Sequence, residues 1–235
     1  MVLTQMRGVL CALALAVFPG FTKADVIFSD FGAGNTYSCC LNWGIGLHIP
    51  PLPTISAMAF TPSSNFDLSQ IDLGITWVGN TNSVNLSLET DSAGLPGTTI
   101  ESWTLSNLPP VGSTNAIETI SPVSTIELLA GQQYWIAAAG VGDASAVWNW
   151  NIVGATGAYA QSDGGSFVLN QGTLGAFDVL GAPVPEPSSI WLLDTVVIGL
   201  TLWWRTARPL LASGCQLKFP EHGAALVART RTPVD

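Results

Sequence analysis

Positively charged residues are scarce in this chain of 235 residues, and they are confined to its two ends. All seven lysines and arginines lie before residue 25 or after residue 183, whereas twelve of the sixteen acidic residues lie between these positions. The middle segment therefore has a formal charge of −12. Nucleic acids and anionic lipid headgroups are bound through basic side chains that neutralise phosphates, so neither is expected as a partner of this segment.

Histidine and cysteine are also rare in residues 25–183, which removes the usual metal-binding and nucleophilic motifs. His48 is the one histidine there, and the adjacent Cys39 and Cys40 cannot both ligate one tetrahedral metal ion. No serine stands in a Gly-x-Ser-x-Gly motif, and no glycine-rich run ends in Lys-Ser or Lys-Thr. We therefore predict a protein that is not an enzyme and uses no cofactor. A secreted hydrolase, with two carboxylates facing across a cleft, is the enzymatic alternative.

The first 24 residues have the three parts of a secretory signal peptide. Arg7 is the positive charge, residues 8–18 are an apolar run, and small residues precede a cleavage position after Ala24. An apolar run of 11 residues is too short to span a membrane core of about 30 Å. We predict export by the Sec machinery. Outside the cytoplasm, Cys39 and Cys40 could remain thiols, form a vicinal disulfide or pair with another chain.

Residues 184–208 combine a proline-rich stem, an apolar run and a basic end. The stem begins Val184-Pro185-Glu186-Pro187, the apolar run covers residues 190–204, and Arg205 and Arg208 follow. Prolines stiffen an extended stem, an apolar run enters a membrane as a helix, and arginines keep its far end in the cytoplasm. This order resembles the PEP-CTERM sorting signal of Gram-negative bacteria.

The resemblance implies a definite route for the protein. Exosortase, a membrane-embedded cysteine transpeptidase, would cleave near the Pro-Glu-Pro tripeptide after transient anchoring in the inner membrane. The protein would then pass to the cell surface or the extracellular matrix. A plain C-terminal membrane anchor is the alternative interpretation. Residues 209–235 mix proline, glycine and charge without a clear period, and we expect them to be disordered.

Residues 25–183 are predicted to form one all-β domain, an antiparallel β-sandwich or jelly roll. Apolar and polar residues alternate over 71–77, 84–89 and 148–152, as expected of strands with one buried face. Turn residues at 79–80, 93–97, 108–110 and 130–131 separate the strands, and no stretch has the apolar period of a helix.

Residues 55–151 contain two blocks that resemble the choice-of-anchor R domain of bacterial surface proteins. One is the Gly-Leu-Pro-Gly hairpin at 94–97, and the other is Leu-Ala-Gly-x-x-Tyr-Trp at 129–135. The resemblance implies a surface-anchored β domain and carries over no catalytic residue. The sequence therefore predicts a structural or adhesive protein, with a carbohydrate-binding module for exopolysaccharide as the alternative.

Two kinds of binding residue remain as candidates within the domain. Trp43 and Trp103 are candidates for stacking on sugar rings, if their indoles are exposed on a sheet face. Asp91 and Asp163 lie in glycine-containing turns, where carboxylate and backbone oxygens can bind Ca²⁺, although no metal site is predicted from spacing. The alternative for the tryptophans is core packing, and for the aspartates ordinary turn hydrogen bonds.

Overall fold

A computed structural model describes residues 24–47, 54–113 and 115–184 of the chain. These residues form fourteen strands: β1 (Asp25–Ser29), β2 (Tyr37–Gly46), β3 (Ile55–Phe60), β4 (Phe66–Leu73), β5 (Ile75–Gly79), β6 (Ser83–Ser92), β7 (Leu95–Ser106), β8 (Glu118–Ile120), β9 (Glu127–Leu128), β10 (Tyr134–Gly140), β11 (Ser145–Asn151), β12 (Thr156–Ser162), β13 (Val168–Thr173) and β14 (Phe177–Pro183). The described part of the chain contains no helix, and hence no helix that could cross a membrane. The prediction of an all-β domain is confirmed.

The strands pair in three antiparallel sheets. A six-stranded sheet has the order β13-β12-β3-β10-β6-β7, and a three-stranded sheet has the order β2-β11-β5. In the remaining five-stranded sheet, β1-β14-β4-β8 lie side by side and β9 also pairs with β4. The smaller sheets are connected at Gly74, whose backbone N–H donates to Ala176 and whose carbonyl accepts from Asn149.

The main hydrophobic core lies between the six-stranded sheet and the two smaller ones, which gives a sandwich-like arrangement. Strands of all three sheets contribute fully buried side chains to it, including Ile45, Met58, Leu73, Leu86, Ile136 and Trp148. The alternation of apolar and polar residues explains which side chains are buried, because successive side chains of a strand point to opposite faces. In β6, Val84, Leu86 and Leu88 are buried, while the residues between them face outward.

The turn predicted over residues 93–97 is tighter than expected. Only Ala93 and Gly94 form the connection, and β7 already begins at Leu95. Pro96 is tolerated within β7 because this strand is the edge of its sheet and needs no N–H on its open side. Two register shifts, between Leu88 and Glu89 and between Glu89 and Asp91, accommodate two extra residues on β7.

Ala93 adopts a backbone conformation that is unfavourable for alanine. Its φ is +54°, in the left-handed region, and Gly94 follows at +83°. Such two-residue hairpins favour Asn-Gly, because asparagine tolerates positive φ better than alanine does. We expect Ala93→Asn to increase the free energy of unfolding by about 0.5–1 kcal/mol, measured by chemical denaturation. Ser92→Asn, one residue earlier, is the control and should change it less.

The predicted signal peptide and the predicted transmembrane segment fall on residues that the structure does not describe. Residues 1–23 precede the described part, and residues 185–235 follow it. Ala24, the predicted cleavage residue, is the first described residue and is exposed.

Candidate functional site

The outer face of the six-stranded sheet carries a groove with a volume of about 470 Å³. Small side chains make its floor: Ala137 and Ala139 of β10 lie beside Ser87 and Asn85 of β6. Phe167, in the connection between β12 and β13, lines the groove together with Ile55. The volume falls within the usual range for small-molecule sites, about 300–1,000 Å³. The groove is therefore the candidate functional site.

Hydroxyl and amide groups form a polar row along the groove. Asn85 pairs with Thr104 of the neighbouring β7, and Ser87 pairs with Ser102. The Thr104 hydroxyl donates to the Asn85 side-chain carbonyl at 2.8 Å, and the Ser87 hydroxyl donates to Glu89 at 2.7 Å. These bonds leave the Asn85 amide N–H groups, one Glu89 oxygen and the Ser102 hydroxyl without a side-chain partner among the described residues. The row can therefore donate hydrogen bonds to a ligand and accept them from it.

Glu89 is the one ionisable residue among the described residues that line the groove. Hydrolysis of a glycosidic bond needs two carboxylates on opposite sides of the scissile bond, and the lining holds a single one. Glu101, on the neighbouring strand, is directed elsewhere: its carboxylate accepts hydrogen bonds from Val123 and Ser124. The described lining of the groove therefore presents one carboxylate, that of Glu89, among neutral hydrogen-bonding groups.

Trp43 is packed against other aromatic rings. Its ring is stacked on Tyr159, with centroids 4.2 Å apart, and it is tilted against Trp150 at 5.2 Å. Its indole N–H donates to the Thr173 carbonyl at 2.9 Å. Trp43 is half-buried, and one of its faces is already covered by Tyr159.

Trp103 is also half-buried and is held in place by its indole N–H. That group donates to the Ser121 carbonyl at 3.0 Å, and the ring packs against the main core. Trp103 is among the residues that line the groove, whereas Trp43 is not. Each of the six tryptophans in the described residues is buried or half-buried, so no row of exposed coplanar indoles is present there.

Asp91 has a position in the β6–β7 hairpin that supports the fold. One of its oxygens accepts hydrogen bonds from the Trp135 indole and the Gln133 amide, both at 2.8 Å, and the other accepts from the Gly94 backbone at 3.0 Å. The side-chain bonds from Trp135 and Gln133 and the backbone bond from Gly94 outweigh its partial burial, so the pKa of Asp91 is lowered. Asp163, the other calcium candidate, is exposed in the β12–β13 connection.

Cys39 lies in an irregular part of the edge strand β2. In the pairing of β2 with β11, Tyr37 is opposite Asn151 and Asn42 is opposite Asn149. Four residues of β2 therefore lie between two paired positions that are separated on β11 by Trp150 alone. Cys39 is exposed and carries a free thiol.

Of the residues predicted to form the sorting signal, the structure describes only the first, Val184. The others lie outside the described residues, as does His48: Pro185, Glu186, Pro187, Arg205 and Arg208.

A second polar feature, which the sequence did not indicate, is the buried carboxyl of Asp30. Asp30 is 1% exposed, and one of its oxygens accepts a hydrogen bond from the Phe177 backbone at 2.7 Å. The other oxygen is buried without a hydrogen-bond partner. Burial, with a smaller contribution from the neighbouring Asp178, raises the pKa of Asp30 from 3.8 to about 8. The carboxyl is therefore protonated at neutral pH.

Asp178 and Asp72 continue this feature across the five-stranded sheet. They lie opposite each other on β14 and β4, and burial raises the pKa of Asp178, assisted by the charge of Asp72. The carboxylate of Asp72 is hydrogen-bonded by neighbouring side chains: the Gln70 amide donates to both of its oxygens at 2.9 Å, and the Thr119 hydroxyl donates to one of them at 2.6 Å. Within the described ranges, no group of three or more His, Cys, Asp or Glu side chains is placed to hold a metal ion.

No protein-family model matches the sequence, and no curated protein matches it either. The resemblances drawn from the sequence motifs therefore stay predictions. Apart from Trp103, the groove residues were missed at the sequence level, although the alternation over 84–89 indicated that Asn85, Ser87 and Glu89 share one outward face.

Proposed function

We propose that this is an exported, non-enzymatic protein of the cell surface or extracellular matrix, with a structural or adhesive role. In this proposal, the Sec machinery exports the chain and the signal peptide is removed after Ala24. A helix over residues 190–204 then holds it transiently in the inner membrane of a Gram-negative bacterium. An exosortase-type enzyme cleaves it near Pro185-Glu186-Pro187 and releases the β domain for surface or matrix assembly.

The observation that carries this proposal is the order of three elements after the β domain: the proline stem, the apolar run and the arginines. The boundary of the folded unit supports it. That unit ends at Val184, whose backbone N–H donates to Asn65 at 3.0 Å, and the tripeptide follows immediately in the sequence. A cleavage site directly after Val184, the last residue that is hydrogen-bonded to the domain, would release the domain without cutting into it.

The chemistry of the β domain is consistent with a non-catalytic role. Its formal charge of −12 favours solubility and discourages nonspecific binding to nucleic acids and acidic membranes. Its groove has one ionisable lining residue, Glu89, and its strongly perturbed carboxyl, Asp30, is enclosed rather than presented to a cleft. These features support a surface protein whose β domain binds other molecules or packs against them.

The sorting step is tested by replacing Pro185-Glu186-Pro187 with three alanines in the full chain. Because the tripeptide is the proposed recognition element, we expect the variant to accumulate uncleaved in the inner-membrane fraction. The surface and medium fractions should contain at least tenfold less of it than of the wild type. The measurement is cell fractionation followed by immunoblotting and mass spectrometry of the mature C-terminus.

The matched control is Pro220-Glu221-His222 replaced by three alanines, which removes a proline and a glutamate from the tail outside the proposed signal. This variant should be processed like the wild type. If the Pro185-Glu186-Pro187 variant is processed and located normally, the sorting proposal is wrong. If neither the wild type nor the Pro185-Glu186-Pro187 variant is cleaved and both remain in the inner membrane, the plain C-terminal membrane anchor is the correct interpretation.

A carbohydrate-binding module is the second candidate function, and the groove is the observation that favours it. The tryptophan arrangement expected for such a module is not found in the described residues, because Trp43 stacks on Tyr159 and Trp103 packs against the core. The polar row of Asn85, Ser87 and Ser102 supplies hydrogen-bonding groups in a concave site instead. This observation moves the candidate binding surface from the tryptophans to the outer face of the six-stranded sheet.

A further inference from the structure

The groove on the six-stranded sheet combines three properties that together define a ligand class. It is concave, it is lined by neutral hydrogen-bonding side chains and Glu89 beside small apolar ones, and the described residues around it include no lysine or arginine. Because residues 25–183 contain no lysine or arginine, phosphorylated, sulfated or carboxylated ligands would enter a site with no positive side chain to pair with them. Anionic ligands are therefore disfavoured, and because every polar side chain of the lining except Glu89 is neutral, an uncharged polar ligand fits the groove best.

The polar row fixes the kind of uncharged molecule. Asn85 can donate through its amide, Glu89 can accept through its second oxygen, and Ser102 can do both. These groups lie on adjacent strands, β6 and β7, so they present a line of donors and acceptors along one side of the groove. A ligand with several hydroxyl groups satisfies such a line, because each hydroxyl can both donate and accept a hydrogen bond.

Phe167 and the alanine floor supply the apolar part. Phe167 is half-buried and lines the groove, while Ala137 and Ala139 keep the floor low enough for a ligand to approach the sheet. Sugar rings have hydroxyl groups at their edges and C–H groups on their faces, which match a polar row beside an aromatic ring. The open groove suits a segment within a chain rather than an enclosed monosaccharide.

We propose that this groove binds a segment of an uncharged polysaccharide through Asn85, Glu89, Ser102 and Phe167. The inference rests on the second candidate function above, carbohydrate binding, and it names the site and the ligand class. It does not depend on the sorting signal, because it concerns only the folded domain.

The test is affinity electrophoresis of the full chain, kept in a nonionic detergent without a sugar headgroup. Native gels contain dextran, a β-1,3-glucan, mannan or galactomannan, with alginate as the anionic comparison. We expect retardation by at least one neutral polysaccharide and none by alginate. Ser102 is exposed on β7, so Ser102→Trp should fill the groove without disturbing the core. We expect it to raise the dissociation constant at least tenfold.

The matched control is Ser106→Trp, which adds the same ring to the same face of β7 beyond the groove. It should change the dissociation constant less than twofold. Asn85→Ala and Phe167→Ala should each raise it about three- to tenfold, the effect of losing one contact of roughly 1 kcal/mol. Thermal unfolding of each variant establishes that it is folded.

The outcomes separate the site from the function. If no neutral polysaccharide retards the protein, both the groove inference and the carbohydrate-binding function are wrong. If a glycan binds and Ser102→Trp has no effect while Trp43→Ala abolishes binding, the function stands and the groove is wrong. Equal retardation by alginate would overturn the assignment to uncharged ligands.

Discussion

Replacing Asp30 with asparagine is expected to stabilise the protein at alkaline pH and to leave it nearly unchanged at acidic pH. Burial raises the pKa of Asp30 from 3.8 to about 8 in the folded protein, so its folded state binds the proton more tightly than its unfolded state. Such a group contributes stability that is fully present below pH 3.8 and is lost as the pH rises through about 8. The Asp30 side chain therefore opposes folding at high pH.

The size of the effect follows from the pKa difference. One unit of pKa difference corresponds to about 1.4 kcal/mol, so the wild type should lose roughly 5 kcal/mol between pH 4 and pH 8 through this group. Asparagine keeps the oxygen that accepts from the Phe177 backbone and has no proton to lose. We expect the two proteins to agree within about 1 kcal/mol at pH 4, with the variant about 4–5 kcal/mol more stable at pH 8.

Denaturant unfolding followed by tryptophan fluorescence, at intervals from pH 4 to pH 8, measures this difference. Using the difference between variant and wild type reduces the contribution of the other carboxyls. The pKa of the nearby Asp178 is also raised by burial, so Asp30→Asn is compared with Asp163→Asn, which changes an exposed loop carboxyl instead. A difference for Asp30→Asn that does not vary with pH would show that its carboxyl is ionised in the folded protein.

Asp91→Ala is expected to lower the free energy of unfolding by about 3 kcal/mol at pH 7. The substitution removes the acceptor of three N–H groups, those of Trp135, Gln133 and Gly94. Trp135 is fully buried, so its indole N–H would be left without a partner, and a buried unpaired donor costs about 1–3 kcal/mol. The remaining loss comes from the β6–β7 hairpin, whose turn the Gly94 bond closes.

Two further substitutions separate the contributions at this position. Asp91→Asn retains one acceptor oxygen for Trp135, so we expect it to cost about 1 kcal/mol. Asp163→Ala removes an exposed carboxyl and should change stability by less than about 0.5 kcal/mol. Since the pKa of Asp91 is lowered by its N–H donors, its stabilising effect should disappear as the pH falls through that pKa. A loss equal to that of Asp163→Ala would mean that the hydrogen bonds contribute nothing.

Secondary structure was largely predictable in this protein, because strand periodicity depends on neighbouring residues alone. The alternation over 84–89 is found in β6, with Val84, Leu86 and Leu88 buried. The limits of strands were less predictable. The single alternating run over 71–77 is divided at Gly74 into β4 and β5, because the hydrogen-bonding partner changes from β14 to β11.

One strand was extended too far by the same reasoning. The alternation of Trp148, Trp150 and Ile152 predicted a common buried face, but Ile152 lies beyond β11 and is 60% exposed. Trp148 is fully buried and Trp150 is half-buried. A period of two residues shows which side chains share a face, but it does not show where the neighbouring strand ends.

The charge distribution and the strand character of the middle segment could be read from the order of the residues, which also predicts the two terminal segments. These properties depend on the order and type of residues, so they need no knowledge of what lies nearby in space. Which polar sheet face is concave, and which carboxyl group is buried away from solvent, depend on how the strands pair and pack. Asn85, Ser102 and Ala139 meet in one groove because β6 pairs with both β7 and β10. Asp30 has a raised pKa because the chain after β1 packs it beside Phe177 and away from solvent.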